Sequence, residues 1–200
     1  MLHFDLLEKL IAQPVSSDEI ERRFLISGVS WQQYEALLED MSDDFSGLRV
    51  TYLEGTLEIM APSRKHEFNK SVIGSLLEAY FQETRTRYYP LGSTTFRKQA
   101  KARGAEPDEC YCVGSEKEFP DIAIEVVKTN SIHKLDVYKG LEVPEVWFSQ
   151  NDRFSVYRLR GESYELLDRS EFLPNLDLNL LATYVLQAEP LDAVLEFRGR

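Results

Sequence analysis

The stretch Pro120-Asp-Ile-Ala-Ile-Glu-Val-Val-Lys128 constrains this chain more than any other. Residues 122–127 are apolar on both alternating faces except at Glu125, the pattern of a strand covered on both sides. A strand of that kind requires helices or further layers packed against its sheet. Glu106-Pro-Asp-Glu109 opens a second strand, and Gly114-Ser-Glu-Lys-Glu118 between them suits a hairpin loop. If the hairpin turns near residue 116, Asp108 lies beside Ile124 and Glu125, and Asp121 faces Tyr111 and Cys112. Directly opposed Cβ atoms stand ~5 Å apart, so Asp108 and Glu125 can share one ion. Asp121, four residues along the strand, is ~13 Å from Glu125 and cannot join them.

A buried lone carboxylate is costly unless it is paired, protonated or bound to a cation. One reading of Glu125 is a strand-edge acid paired with an arginine. The other is a divalent-cation site shared with Asp108, and the repulsion of two adjacent carboxylates favours it.

The rest of the chain surrounds this hairpin with helices. Residues 1–45 read as a helical segment: Leu6, Leu7, Leu10 and Ile11 recur at helical spacing, and Ser30 with Gln33 forms a capping box before Tyr34, Leu37 and Leu38. Residues 49–53 and 56–60 alternate as strands across Glu54-Gly55. After Ala61-Pro-Ser63 a long helix runs to about Thr84, with Val72, Ile73, Leu76, Leu77, Tyr80 and Phe81 as its apolar stripe. Extending that stripe backwards places His66 near its centre and Glu67 at its edge, so the inward face turns polar in the first turn.

Strands are expected over 87–89, 94–98, 108–113, 119–127, 145–149, 154–159 and 163–167, a helix over 129–142, and helices in the tail. This is an α+β pattern, a mixed central sheet flanked by helices. One domain over residues 1–200 is expected, with a helical segment at 1–45, a core at 49–160 and a C-terminal strand and helices at 163–200.

Composition removes several classes. No apolar run approaches the ~20 residues of a membrane span. The opening residues carry Asp5 and Glu8 and do not read as a secretory leader, so a cytoplasmic setting is expected. Cys110 and Cys112, the two cysteines, lie two apart on one strand, which suits reduced core thiols and excludes a disulfide framework or a four-cysteine zinc site. Tyr111, Tyr138 and Trp147 follow strand and helix periods and read as packing, as do Trp31 and Tyr34.

Several of these residues together carry a resemblance: Ser30-Trp31 with Tyr34, Gly55-Thr-Leu-Glu-Ile-Met60, Pro62-Ser63 with His66-Glu67, Pro107-Asp108, Pro120-Asp-Ile-Ala-Ile-Glu-Val126, Lys134 with Tyr138, and Val143-Pro-Glu-Val-Trp147. From about Gly28 to Tyr184 the chain resembles the Uma-two family, regarded as endonucleases of the PD-(D/E)-x-K restriction-endonuclease-like superfamily. The resemblance implies a restriction-endonuclease-like fold and metal-dependent hydrolysis of phosphodiester bonds. Asp108 and Glu125 would then ligate Mg²⁺ or Mn²⁺, with Glu67 as a further ligand or base. The motif's lysine is missing, because position 127 is Val. Lys128 is near, but strand alternation turns it away from Glu125. Lys134 fits the family pattern as the catalytic lysine, and the other reading is a solvated helix lysine. A nuclease fold with weakened or lost catalysis, acting as a nucleic-acid or protein binding module, is the alternative to an enzyme.

A net charge of −11 argues against coating nucleic acid by bulk charge. The distribution is uneven. Residues 64–103 hold nine basic and three acidic side chains, a net +6 that leaves −17 elsewhere. Arg85, Arg87, Arg97, Lys98, Lys101 and Arg103 form an acid-free run leading to Asp108, which reads either as a phosphate-binding strip or as an ordinary solvated hairpin. The expected partner is nucleic acid, DNA ahead of RNA, with no membrane and with a homodimer admitted.

Overall fold

A computed structural model gives the architecture and describes residues 21–44, 47–127, 132–187 and 189–199. The helix expected around Leu6–Ile11, and Lys128, lie outside the described residues. Within the segment read as helical, Arg22–Ser27 is a strand instead, β1. It pairs antiparallel with β3 (Thr56–Ala61), which is joined to β2 (Arg49–Leu53) by the expected hairpin. Six residues are too few for a helical period to register, and a long-range partner decides their conformation. Helix α1 (Trp31–Asp44) does follow, opened by reciprocal bonds from Ser30 N to Gln33 Oε1 and from Gln33 N to Ser30 Oγ. Its Trp31, Tyr34, Leu37 and Met41 pack on Val50, Tyr52, Leu57 and Ile59.

Helix α2 (Arg64–Glu83) begins at Ser63, whose Oγ accepts from the His66 amide. Next come β4 (Tyr88–Pro90), β5 (Phe96–Lys98), β6 (Arg103–Ala105), β7 (Glu109–Val113) and β8 (Ile122–Val126). Helix α3 (Lys134–Leu141), β9 (Glu145–Gln150), β10 (Arg153–Arg160), β11 (Ser163–Leu167), α4 (Leu178–Val185) and α5 (Pro190–Arg198) complete the order.

The strands form two sheets rather than the one expected. A five-stranded antiparallel sheet has the order β1-β3-β2-β6-β5, and a six-stranded sheet has the order β11-β10-β9-β8-β7-β4. In the second sheet only β8 and β9 run parallel. Glu106-Pro107-Asp108 carries the chain from β6 in one sheet to β7 in the other. Pro107 has no N–H to continue a ladder, so the strand breaks there and Asp108 stands at the junction.

Strand β8 is covered on both faces, as its composition requires. Ile122, Ile124 and Val126 pack with α2, Trp147, α4 and α5, and Ala123 packs with Val137, Tyr138 and Leu141 of α3. Opposed pairs Glu109–Ile124, Cys110–Ala123 and Tyr111–Ile122 set the hairpin register. Trp147 and Tyr111 are core residues, and Trp31, Tyr34 and Tyr52 form an aromatic cluster with Tyr34 stacked on Tyr52 at 4.8 Å. Among the described residues no helix is long and apolar enough to cross a membrane.

Candidate active site

Four elements converge where the chain changes sheets. The register of β7 against β8 continues one step, with Asp108 N donating to Ile124 O at 3.1 Å, so Asp108 lies beside Glu125. Both are buried, at 2% and 5% exposure. Asp121, at the far end of β8, accepts from Val113 N and from Lys117 and stabilises the hairpin loop instead.

Glu125 faces α3. Lys134, in the first turn of that helix, places Nζ 3.1 Å from Glu125 Oε1 and donates to Thr51 Oγ1 of β2 at 2.9 Å. Tyr138, one turn on, donates its hydroxyl to the same Glu125 oxygen. The i, i+4 spacing puts both groups on one helix face. Burial raises the Glu125 carboxyl above its ordinary range, Lys134 opposes that, and Asp108 adds to it.

Asp108 is held from the other side. His66, fully buried on α2, has Nε2 2.8 Å from Asp108 Oδ1 and Nδ1 3.0 Å from Glu21 Oε2. Val126 N donates to Asp108 Oδ2 at 2.7 Å. Burial would raise the Asp108 carboxyl, but the His66 hydrogen bond and charge, with the Val126 amide, bring it below its usual value. Burial would lower the His66 imidazole, but the hydrogen bonds to Asp108 and Glu21 outweigh that and push it up to about 9. Glu21 goes the opposite way. Burial acts upward, yet His66 and Arg23 hold it at about 2. His66 is therefore an imidazolium that donates to both carboxylates at neutral pH.

The polar face of the five-stranded sheet closes the site. Glu58 on β3 takes Arg23 at 3.0 Å and the Ile132 amide at 3.0 Å, next to Thr51 on β2. Arg49 joins Glu106 at 2.8 Å and reaches Glu67 at 3.5 Å. Glu67 lies at the margin, 38% exposed and paired with Lys70, and is not brought against Asp108 or Glu125. Glu106 is raised by burial, with Arg49 opposing and Asp108 reinforcing. Among the described residues no three of His, Cys, Asp and Glu come together as a ready metal site.

The six basic residues of the acid-free run are not brought together. Arg103 is buried and spends its guanidinium on Glu54 and on the carbonyls of Lys101, Ala102 and Asp136. Lys98 pairs with Glu142 and lies over the Phe119 ring. Arg85 and Arg87 follow the far end of α2, which runs roughly 26 Å beyond His66 at 1.5 Å per residue. Arg97 on the edge strand β5 and Lys101 in the turn between β5 and β6 remain exposed.

Sequence reasoning missed Glu21 and Thr51 as partners of the site and read Tyr138 as packing alone. The signal for Tyr138 was its spacing from Lys134. Glu21 carried none, because its role depends on β1 pairing with β3. Cys110 and Cys112 are free buried thiols bonded to backbone carbonyls, outside this cluster.

Two sheets, five helices among the described residues and a junction of paired acids with a lysine define an α+β domain of restriction-endonuclease-like type. The chain belongs to the Uma2 family, described as "Putative restriction endonuclease", which it matches over residues 31–189. No curated protein matches the chain at a significant level.

Proposed function

We propose that the protein is a Mg²⁺- or Mn²⁺-dependent endonuclease that hydrolyses phosphodiester bonds of nucleic acid, with DNA the first substrate to test. The observation that carries this reading is Lys134 at 3.1 Å from Glu125, with Asp108 at the adjacent strand position. Three separate elements converge to hold two acids and a base, beyond what packing alone requires.

The residues fit a divalent ion. Carboxylates are the hard oxygen ligands that Mg²⁺ and Mn²⁺ prefer, and two of them leave room for the waters Mg²⁺ keeps. Glu125 Oε2 makes no hydrogen bond with the described residues, and each Asp108 oxygen accepts a single one. Asp108 and Glu125 would hold the ion, and Glu67 would join only by leaving Lys70. When bound, the ion supplies Lewis-acid stabilisation of a phosphoryl oxygen and acidifies water.

The chain's own groups do the rest. His66 and the Val126 amide keep Asp108 ionised and fixed in orientation. Thr51 fixes the Lys134 ammonium, which balances Glu125 and offers positive charge to a phosphate oxygen or orients a water. Tyr138 holds the Glu125 carboxylate in one rotamer. A cytoplasmic setting accords with the two free thiols.

A second reading has its own support. His66 and Lys134 already compensate the buried acids, which suits a nuclease fold that binds nucleic acid or protein without cutting. Incubating the protein with plasmid, single-stranded DNA and RNA, with and without Mn²⁺, separates the two. The nuclease reading expects cleavage that Asp108→Ala and Glu125→Ala both abolish. Equal inertness of all three proteins on every substrate leaves the binding module.

A further inference from the structure

A cleft of about 440 Å³ opens beyond the C-terminal ends of the parallel strands β8 and β9. Its volume lies in the range of small-ligand pockets, and strand ends of this kind are where open sheets leave a crevice. The floor is apolar: Val126, Val127, Phe154 and Val185 line it. The rim is neutral and polar, with Asn69 from α2, Ser149 and Gln150 from β9, and Asn151 from the β9–β10 turn. Lys65 and Asp152 add one charge of each sign and cancel.

None of these rim side chains makes a hydrogen bond or ion pair with another described residue. Three carboxamides around one cleft thus keep their full donor and acceptor capacity unspent. Asn151 also serves its positive-φ turn, and all three are free to meet a ligand's own donors and acceptors.

Two links tie the cleft to the paired acids. Val126 lines it, and the Val126 amide is the donor to Asp108 Oδ2. Lys65 also lines it, and the next residue is His66, which holds the other Asp108 oxygen. The cleft and the supports of Asp108 thus share the Val126 backbone and the first turn of α2.

We infer that this cleft is a nucleobase subsite, receiving an unstacked base of the nucleic acid bound at the Asp108–Glu125 centre. A base is a flat, uncharged group whose faces suit the apolar floor and whose edges match carboxamides, which read donor–acceptor pairs. A phosphate would meet only Lys65 and would be opposed by Asp152, so the cleft suits the base rather than the backbone. The cleft then selects which nucleotide stands beside the acids. Unpaired or single-stranded substrates are favoured, because a paired base must first leave its stack.

This inference rests on the nuclease reading for its biological meaning, but its test does not need cleavage. Deoxynucleoside 5′-monophosphates are titrated into ¹⁵N-labelled protein in EDTA while the side-chain amides of Asn69, Gln150 and Asn151 are followed by NMR. 2-Deoxyribose 5-phosphate is the control. Saturable shifts are expected with at least one nucleotide and not with the sugar phosphate, and Asn69→Ala combined with Gln150→Ala weakens binding about tenfold or more. These residues are at the surface, so the variant folds. Unmoved resonances with all four nucleotides, or equal shifts with the sugar phosphate, overturn the subsite. Nucleotide binding in a protein that cuts no nucleic acid with Mn²⁺ would retain the subsite and reject the nuclease. Cleavage without nucleotide binding would do the reverse.

Discussion

His66 Nε2 lies 2.8 Å from Asp108 Oδ1, and the imidazole carries the charge that keeps this buried acid ionised. The stability of the metal-free protein follows from it. The His66 pKa rises from 6.5 to about 9 on folding, so its contribution is fully present below pH 6.5 and is lost as pH climbs through 9. The loss is on the order of 3 kcal/mol. Glu109, raised by burial to about 7 against the pull of Lys70, adds a decline between pH 4.5 and 7. Urea unfolding in EDTA should show the midpoint falling from mildly acidic pH to pH 9. His66→Gln should flatten the upper limb and leave the Glu109 limb in place. A midpoint constant from pH 6.5 to 9 in the wild type would remove the charged His66.

Breaking the pair outright should cost more than titrating it. His66→Ala leaves Asp108 buried with one amide donor and takes the imidazolium away from Glu21. Removing one partner from a buried ion pair typically costs about 3–5 kcal/mol. Thermal unfolding at pH 7 should show that cost, and replacing Asp108 by Asn in the same background should recover part of it. No recovery would mean that the buried charge is not the source of the cost.

Lys134 separates activity from folding. Lys134→Met keeps an unbranched side chain at a buried position but leaves Glu125 with burial and Asp108 both opposing its charge. Glu125 should then take up a proton nearer neutral pH. With Mn²⁺ present, cleavage should fall about 10²–10³-fold, the scale of removing one stabilising group at a reacting phosphate or acyl centre. Lys134→Arg retains charge but cannot place a point ammonium between Thr51 and Glu125, so it should recover stability more than rate. Matched unfolding and cleavage measurements on the two variants check this, and equal cleavage by Lys134→Met and wild type would remove Lys134 from the chemistry.

Much of this arrangement was legible in the sequence because it is local. The β7–β8 register followed from a short polar loop, and it put Asp108 beside Glu125. The helical period of Val72, Ile73, Leu76 and Leu77 pointed His66 inward, and the Ser30–Gln33 capping box marked the start of α1. What stayed hidden depends on distant partners. Arg22–Ser27 becomes a strand only because β3 offers it an edge. The division into two sheets turns on Pro107, which reads equally well as a kink within one sheet. The basic run looked continuous because sequence cannot show that Arg103 folds inward under α3, or that Arg85 lies a helix length away. Glu67 looked like a ligand by its neighbour, yet the 100° step that turns His66 inward turns Glu67 to the margin.

The packing beneath the site makes a prediction of its own. Gly104 on β6 lies opposite Tyr52 in the sheet, and a Cβ built there would overlap the Tyr34 hydroxyl. Tyr34 is fully buried and stacked on Tyr52, so it cannot yield without opening the α1 cluster. Gly104→Ala should destabilise by about 1–3 kcal/mol, the usual cost of overpacking. Gly47→Ala, with open space around it, should stay within about 0.5 kcal/mol of wild type. Thermal unfolding of both distinguishes close approach from the general cost of replacing glycine.

The scattering of the basic run sets the salt dependence of nucleic-acid binding. Arg97 and Lys101 are exposed, whereas Arg103 is committed to Glu54 and three carbonyls. Removing one cation from a phosphate should lower the slope of log K against log salt by about 0.7–0.9. Arg97→Gln with Lys101→Gln should therefore weaken binding of a single-stranded oligonucleotide and flatten the slope by about 1.4 when both touch phosphate. Arg103→Gln should leave the slope unchanged and lower thermal stability instead, because it strips the Lys101, Ala102 and Asp136 carbonyls of their donor. Fluorescence anisotropy in EDTA across a salt series gives the slopes. A slope that Arg103→Gln flattens while the exposed pair does not would place the phosphate path beneath α3 rather than along the outer edge of β5.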